Sequence, residues 1–151
     1  MEGTPESADV GSSAKRFVVL QHDVGSQLDR TTETHLDWMF ATGETLSTWS
    51  TAVITNFETS FETPCLKLAE HRLIYLDREG ELGGGRGSVR RILVGEYTAV
   101  ASTSPAVAFK ARLCWQMDSG VRHAEVEIGQ RHADAELEPE ASFYLRLSSC
   151  R

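Results

Sequence analysis

Large apolar residues recur at every second position over residues 36–40, and this period of two constrains the fold more than any other feature. Leu36, Trp38 and Phe40 alternate there with Asp37 and Met39. Side chains two apart on a β-strand share a face, so this segment predicts a strand with one buried face and one polar face. A helix of the same length would bury a different subset of residues.

Other short apolar runs follow along the chain, separated by turn-forming residues. Thr42-Gly43-Glu44 and Asp118-Ser119-Gly120 predict two hairpins, and Gly95 is expected to mark a break or bulge within a strand. Further strands are predicted at residues 17–20, 45–57, 66–76, 89–100, 107–117, 121–128 and 143–147. Within the strand predicted at 66–76, residues 68–75 could instead form one or two helical turns. This spacing predicts a mostly β protein, a small β-barrel or sandwich with one or two short helices.

The domain organisation expected from the sequence is simple. Residues 1–15 are polar and carry Gly, Ser, Pro and acidic side chains, so we expect a disordered leader followed by a single domain at residues 16–151. No apolar run approaches the roughly 18–20 residues that span a bilayer, so no membrane partner is expected. Cys65, Cys114 and Cys150 form no CxxC motif. Reduced thiols and a cytoplasmic location are the simplest interpretation.

Charge limits the classes of partner that the chain can bind. Fifteen basic and 22 acidic residues give a net charge of −7. Proteins that grip a long duplex usually present a basic face, so extensive nucleic-acid binding is not expected. A local pocket could still hold one phosphate or a strand end. Residues 79–88 contain five glycines and predict a loop. Arg86 in this loop is a candidate phosphate ligand, although residues 83–88 match neither main phosphate-loop motif, and the alternative is a plain flexible connection.

Three residues are candidate metal ligands. His35 and Asp37 are two apart on the predicted strand and therefore share its polar face. His22, at the end of the first predicted strand, could supply a third ligand. Two imidazoles and a carboxylate suit a divalent ion such as Mn²⁺ or Zn²⁺. The alternative is that these are ordinary polar residues on the surface of a half-buried strand.

A second candidate pair consists of His71 and Tyr75. Their spacing of four residues keeps them roughly on one side of either a strand or a helical turn. An imidazole and a phenol can both donate hydrogen bonds to phosphate oxygens. The alternative is a packed aromatic pair.

Taken in order, these segments resemble the 3′-phosphoesterase domain at the N-terminus of bacterial DNA ligase D, including its stand-alone relatives. The shared features are a strand ending in His-Asp, a His-x-Asp strand, a Trp-containing strand, a His-x-x-x-Tyr segment, an acidic-Gly turn and a Gly-x-Gly-x-Val strand. The resemblance covers roughly residues 16–50 and 66–97. The matching residues here are His22-Asp23, His35-Leu36-Asp37, Trp49, His71 to Tyr75, Glu79-Gly80 and Gly85 to Val89.

The resemblance implies a small β-barrel and a metal-dependent activity that trims nucleic-acid 3′ ends. Such an enzyme removes a terminal 3′-phosphate or ribonucleoside and leaves a 3′-hydroxyl during DNA repair. His22, His35 and Asp37 would then bind Mn²⁺, and His71 and Tyr75 would contact the scissile phosphate. DNA ligase or polymerase repair proteins are the implied partners.

The resemblance also leaves an alternative function open. In the ligase-attached form, an Arg that binds phosphate lies two residues after the Asp, and this chain has Met39 there. Together with the net charge, Met39 favours a catalytically weak or inactive barrel module that binds a nucleic-acid end or a repair partner. A third interpretation is a phosphoesterase acting on a small molecule.

Overall fold

A computed structural model describes residues 14–23, 34–131 and 143–150. Most of the residues expected to form the leader, residues 1–13, lie outside this part of the chain. The described residues form nine strands: β1 (Lys15–Asp23), β2 (His35–Thr42), β3 (Thr45–Thr51), β4 (Phe61–Arg72), β5 (Gly80–Glu81), β6 (Ser88–Ala99), β7 (Val107–Met117), β8 (Gly120–Gln130) and β9 (Phe143–Cys150).

Eight of these strands close into an antiparallel barrel. The order is β1-β2-β3-β4-β9-β8-β7-β6, and β6 pairs back onto β1. The short β5 pairs with the first residues of β6, outside the closed ring. The predicted mostly β class and the barrel are therefore confirmed. The two predicted hairpins are also confirmed, because β2 pairs with β3 and β7 with β8 around the expected turns.

Helical structure within the described residues amounts to one 3₁₀ turn at Leu73–Leu76. The segment expected to be either a strand or helical turns is divided between the two, because β4 continues to Arg72 and the 3₁₀ turn follows it. No helix among residues 14–23, 34–131 and 143–150 is long and apolar enough to cross a membrane.

The two faces of β2 have different environments, as the alternation predicted. Leu36, Trp38 and Phe40 are fully buried inside the barrel, in its main core. The Trp38 ring lies 5.9 Å from the Phe57 ring, and its indole N–H donates to the hydroxyl of Thr51. The opposite face of β2 points outward and carries His35, Asp37 and Met39.

Part of this outer face is itself covered. Residues 73–87, which we call the strap, connect β4 to β6 and pack against the outside of β1, β2 and β3. Leu76 and Leu82 of the strap join a second apolar cluster that includes Leu20 and Met39. The strap explains why residues 17–20 are all fully buried: one side of β1 faces the core and the other faces the strap.

An ion pair and a hydrogen bond from a backbone N–H fasten the strap to the barrel. The Arg16 guanidinium donates to the Asp77 carboxylate at 2.8 Å, and this contact holds the pKa of Asp77 below its usual range. The backbone N–H of Arg91 donates to the Glu79 carboxylate at 2.9 Å. The strap is therefore held from β1 as well as from β6.

The irregular position of β6 is not at Gly95, where the sequence predicts a break or bulge. The register between β1 and β6 shifts where Val19 pairs with Leu93 and Leu20 pairs with Arg91, so the extra residue of β6 is Ile92. Gly95 stays in regular pairing. A Cβ atom at Gly95 would lie 2.0 Å from the carbonyl oxygen of Cys114. Glycine is therefore required there by the close approach of two backbones, and not by a bend.

Candidate metal centre

The barrel brings three side chains together where β1 ends and β2 begins. His22 and His35 are direct cross-strand neighbours in the antiparallel pairing, and Asp37 lies two residues beyond His35 on the same face. The two imidazole rings are 5.1 Å apart and nearly edge-to-face. One potential ligand atom from each of the three residues lies within 4.8 Å of the others. The hairpin-like pairing of β1 with β2 is thus what assembles the cluster.

Asp37 is the most buried member of this cluster. Its residue is only 5% exposed, and its Oδ1 has no hydrogen-bond donor among the described residues. The Nε2 atom of His35 lies 3.2 Å from Oδ1, but without the alignment of a hydrogen bond. A buried carboxylate is costly unless donors or a cation compensate its charge. The carboxylate therefore fits a cation at this position.

The orientation of His22 is set by a backbone group. Its Nε2 lies 3.1 Å from the carbonyl oxygen of Arg86. Because a carbonyl can only accept, Nε2 carries the proton and donates it. In the neutral imidazole the lone pair is then on Nδ1, which lies 4.0 Å from Oδ2 of Asp37. Nδ1 is thus the ring nitrogen of His22 that is available to bind an ion beside the carboxylate.

The donor set fits a divalent ion. Tetrahedral ligand atoms about 2.0–2.3 Å from one ion are about 3.3–3.8 Å apart, so these three atoms, which lie within 4.8 Å of one another, would have to move together by up to about 1 Å to bind it. Two imidazole nitrogens and a carboxylate oxygen are ligands of Zn²⁺ and of Mn²⁺. His22 through Nδ1, His35 and Asp37 are the residues that would hold the ion.

His71 and Tyr75 form a separate pair on the same outer face. Their rings are 5.4 Å apart and nearly perpendicular, and Nδ1 of His71 donates to the carbonyl of Ala69 at 2.9 Å. His71 on β4 is the cross-strand neighbour of Leu46 on β3, and Leu46 is the cross-strand neighbour of Ala41 on β2. Ala41 lies four residues beyond Asp37. Strand geometry then puts the Cα atoms of His71 and Asp37 about 16 Å apart. Met39, between Asp37 and Ala41 on this face, occupies the intervening position.

Arg86 contacts the cluster through its backbone and not through its side chain. Its guanidinium donates to the carbonyl of Leu82 at 2.6 Å and to that of Gly83 at 3.2 Å, within its own loop. Sequence reasoning considered Arg86 only as a phosphate ligand and missed its contact with His22. The glycines around it predicted a loop, but no sequence signal indicates which backbone carbonyl that loop presents to β1.

Comparisons with protein-family models and with curated proteins give no match to this chain. The geometry of the site and the resemblance described above are therefore the basis for a functional proposal.

Proposed function

We propose that this protein is a metal-dependent phosphoesterase that acts on the 3′ ends of nucleic acid. The observation that carries the proposal is the convergence of His22, His35 and the buried Asp37 carboxylate on one face of the barrel. It agrees with the ordered resemblance to the ligase D phosphoesterase domain, in which the corresponding residues bind the metal. Mn²⁺ is the ion that the resemblance favours, and Zn²⁺ suits the same donor atoms.

The chain's own residues have distinct tasks in this proposal. A divalent ion held by His22, His35 and Asp37 would act as a Lewis acid on a phosphoryl oxygen. Asp37 balances the positive charge of the site, and its burial keeps water away from that carboxylate. His71 donates its Nδ1–H to the Ala69 carbonyl, so a hydrogen bond from Nε2 to a phosphate oxygen requires the protonated ring. The Tyr75 hydroxyl can donate a second hydrogen bond to the substrate beside His71.

The distance between the two clusters bears on the substrate. His71 and Asp37 are separated by about 16 Å at Cα, and both side chains point to the same outer face. Met39 between them is buried in the second apolar cluster, so a substrate that contacts both must extend over the strap, as the last nucleotides of a strand could. A short contact with a strand end also agrees with the net charge of −7, since it needs few phosphate contacts.

The test is a product assay with labelled primers that end in a 3′-phosphate or a 3′-ribonucleotide, incubated with Mn²⁺. We expect conversion to a 3′-hydroxyl by the wild type and loss of conversion in His35→Ala and Asp37→Asn. His123→Ala is the matched control, because His123 is an exposed histidine on β8. Conversion that persists in both site variants would contradict the assignment of the site.

One observation favours a second candidate, a non-catalytic barrel that binds a nucleic-acid end or a repair partner. Met39 is 1% exposed and belongs to the second apolar cluster, so the face between the two clusters offers no positive charge at that position. Two donors of Arg86 are also used within its loop. This candidate predicts Mn²⁺ binding or primer binding without product, measured by calorimetry and fluorescence anisotropy on the same protein.

A further inference from the structure

The loop that faces His22 is closed by its own hydrogen bonds. We call residues 82–87 the Arg86 loop. The backbone N–H of Leu82 donates to the carbonyl of Gly87 at 2.8 Å, and that of Arg86 donates to the carbonyl of Gly83 at 3.1 Å. Leu82 is anchored in the second apolar cluster and is 8% exposed. The loop is therefore a fixed part of the outer face.

The Arg86 side chain adds a second closure to this loop. Its guanidinium reaches back over the turn and donates to the carbonyls of Leu82 and Gly83. Gly85 and Gly87, on either side of Arg86, have φ values of +72° and +93°. Side chains rarely adopt this backbone conformation, so the glycines are explained by the turn itself. Together these features direct the Arg86 carbonyl toward β1.

The Arg86 carbonyl meets Nε2 of His22 at 3.1 Å. Histidines that bind metals usually donate their other ring N–H to a carboxylate or carbonyl, which fixes the tautomer and the ring orientation. Here the acceptor is a carbonyl whose position depends on the guanidinium of the same residue. The Arg86 side chain is therefore connected to His22 indirectly. Its guanidinium closes the loop, and the loop positions the carbonyl that accepts from His22.

We propose that Arg86 is a positioning residue for metal binding. By closing its loop, it holds His22 in the Nε2–H tautomer, so that His22 binds the ion through Nδ1. This inference rests on the proposed metal site. It assigns to Arg86 a role that differs from phosphate binding, since its guanidinium faces carbonyl oxygens of its own loop. Loss of such a partner typically lowers metal affinity about 10–100-fold.

The experiment compares Arg86→Met and Arg86→Lys with the wild type in the full chain. Arg78→Met is the matched control, because the Arg78 guanidinium also donates to a strap carbonyl, that of Glu81 at 3.4 Å. Zn²⁺ and Mn²⁺ affinities are measured by titration calorimetry. The His22 tautomer is measured from ring ¹⁵N chemical shifts in metal-free protein, at a pH where the imidazole is neutral. Thermal melts establish that each variant is folded.

We expect Arg86→Met to weaken Zn²⁺ and Mn²⁺ binding about 10–100-fold and to produce a mixture of His22 tautomers. Arg86→Lys, whose ammonium can replace only part of the closure, should fall between Arg86→Met and the wild type. Arg78→Met should keep both properties. If Arg86→Met does not fold, Arg86→Lys alone decides, by a loss of affinity with an accompanying tautomer change.

Two results would overturn different parts of this argument. Unchanged metal affinity and an unchanged tautomer in folded Arg86 variants, with binding lost in His22→Ala and His35→Ala, would refute the role of Arg86 and leave the metal site intact. Unchanged metal affinity in His22→Ala and His35→Ala would refute the site itself, and with it the proposed function.

Discussion

Trp38→Ala tests the two-faced strand on which the site depends. The Trp38 side chain is fully buried, packs against Phe57 and Phe61, and donates its N–H to the hydroxyl of Thr51. Truncating a buried tryptophan costs about 3–5 kcal/mol of unfolding free energy. Thr51 keeps a partner, because its hydroxyl also donates to the carbonyl of Ala52 at 2.9 Å, so the loss of the indole adds little more. We expect about 4 kcal/mol, or a midpoint lower by about 8–16 °C.

The neighbouring residue provides the comparison. Asp37 lies on the outer face of the same strand, and its Oδ1 has no hydrogen-bond donor within the described part of the chain. Asp37→Asn keeps the shape of the side chain and removes a buried charge, so it should change the free energy of unfolding by less than about 1 kcal/mol. Its effect on Mn²⁺ affinity should be large. Trp38→Phe, which keeps a ring, should cost about 1–2 kcal/mol.

Urea denaturation of all three variants gives the free energies, and equal m-values establish that the same surface is exposed on unfolding. Calorimetry with Mn²⁺ ranks the same variants by metal affinity. Asp37→Asn should lose the most affinity and the least stability, and Trp38→Ala the reverse. The reasoning is refuted if Trp38→Ala unfolds within about 1 kcal/mol of the wild type. It is equally refuted if Asp37→Asn destabilises the barrel as much as Trp38→Ala does.

Three other substitutions test the packing of the barrel. Gly95→Ala should cost at least about 2 kcal/mol in urea denaturation, because its Cβ would lie 2.0 Å from the Cys114 carbonyl oxygen. Tyr97→Phe should cost about 1 kcal/mol in the same assay, since it removes the 2.6 Å hydrogen bond to the carbonyl of Ala41. Burial raises the pKa of Cys65 to about 12 from its ordinary value of 9.0. The stability that Cys65 contributes is therefore present below about pH 9 and is lost as the pH rises toward 12, and Cys65→Ala should show a shallower alkaline decline in unfolding free energy.

The faces of β2 could be predicted from sequence because strand periodicity is local. The alternation of Leu36, Trp38 and Phe40 with polar residues gives the buried face without knowledge of the partner strands. Met39 marks the limit of this argument. It interrupts the polar face, and its burial comes from the strap, whose contacts with β2 arise from residues far along the chain. For the strap, the sequence predicts only the end of a strand, or of helical turns, followed by a glycine-rich loop.

Gly95 shows a second limit. Glycine in a strand indicates either a bulge or a close backbone approach, and the sequence offers no means of choosing between them. The structure places the irregular residue at Ile92 and gives Gly95 the close approach, against Cys114 on β7. The choice depends on the register between strands, which is set by the whole barrel.

The metal cluster combines both kinds of information. His35 and Asp37 share a face by strand geometry alone, whereas His22 joins them only because β1 pairs antiparallel to β2 in the register that opposes His22 to His35. The contact that orients His22 crosses 64 residues and uses a backbone carbonyl, an atom that every residue possesses. Residue identity enters this contact only through the Arg86 guanidinium, which closes the loop. For that reason the sequence predicts an anion ligand at Arg86, a basic residue in a glycine-rich loop. The hydrogen bonds of Arg86 in the structure favour a role in orienting His22 instead.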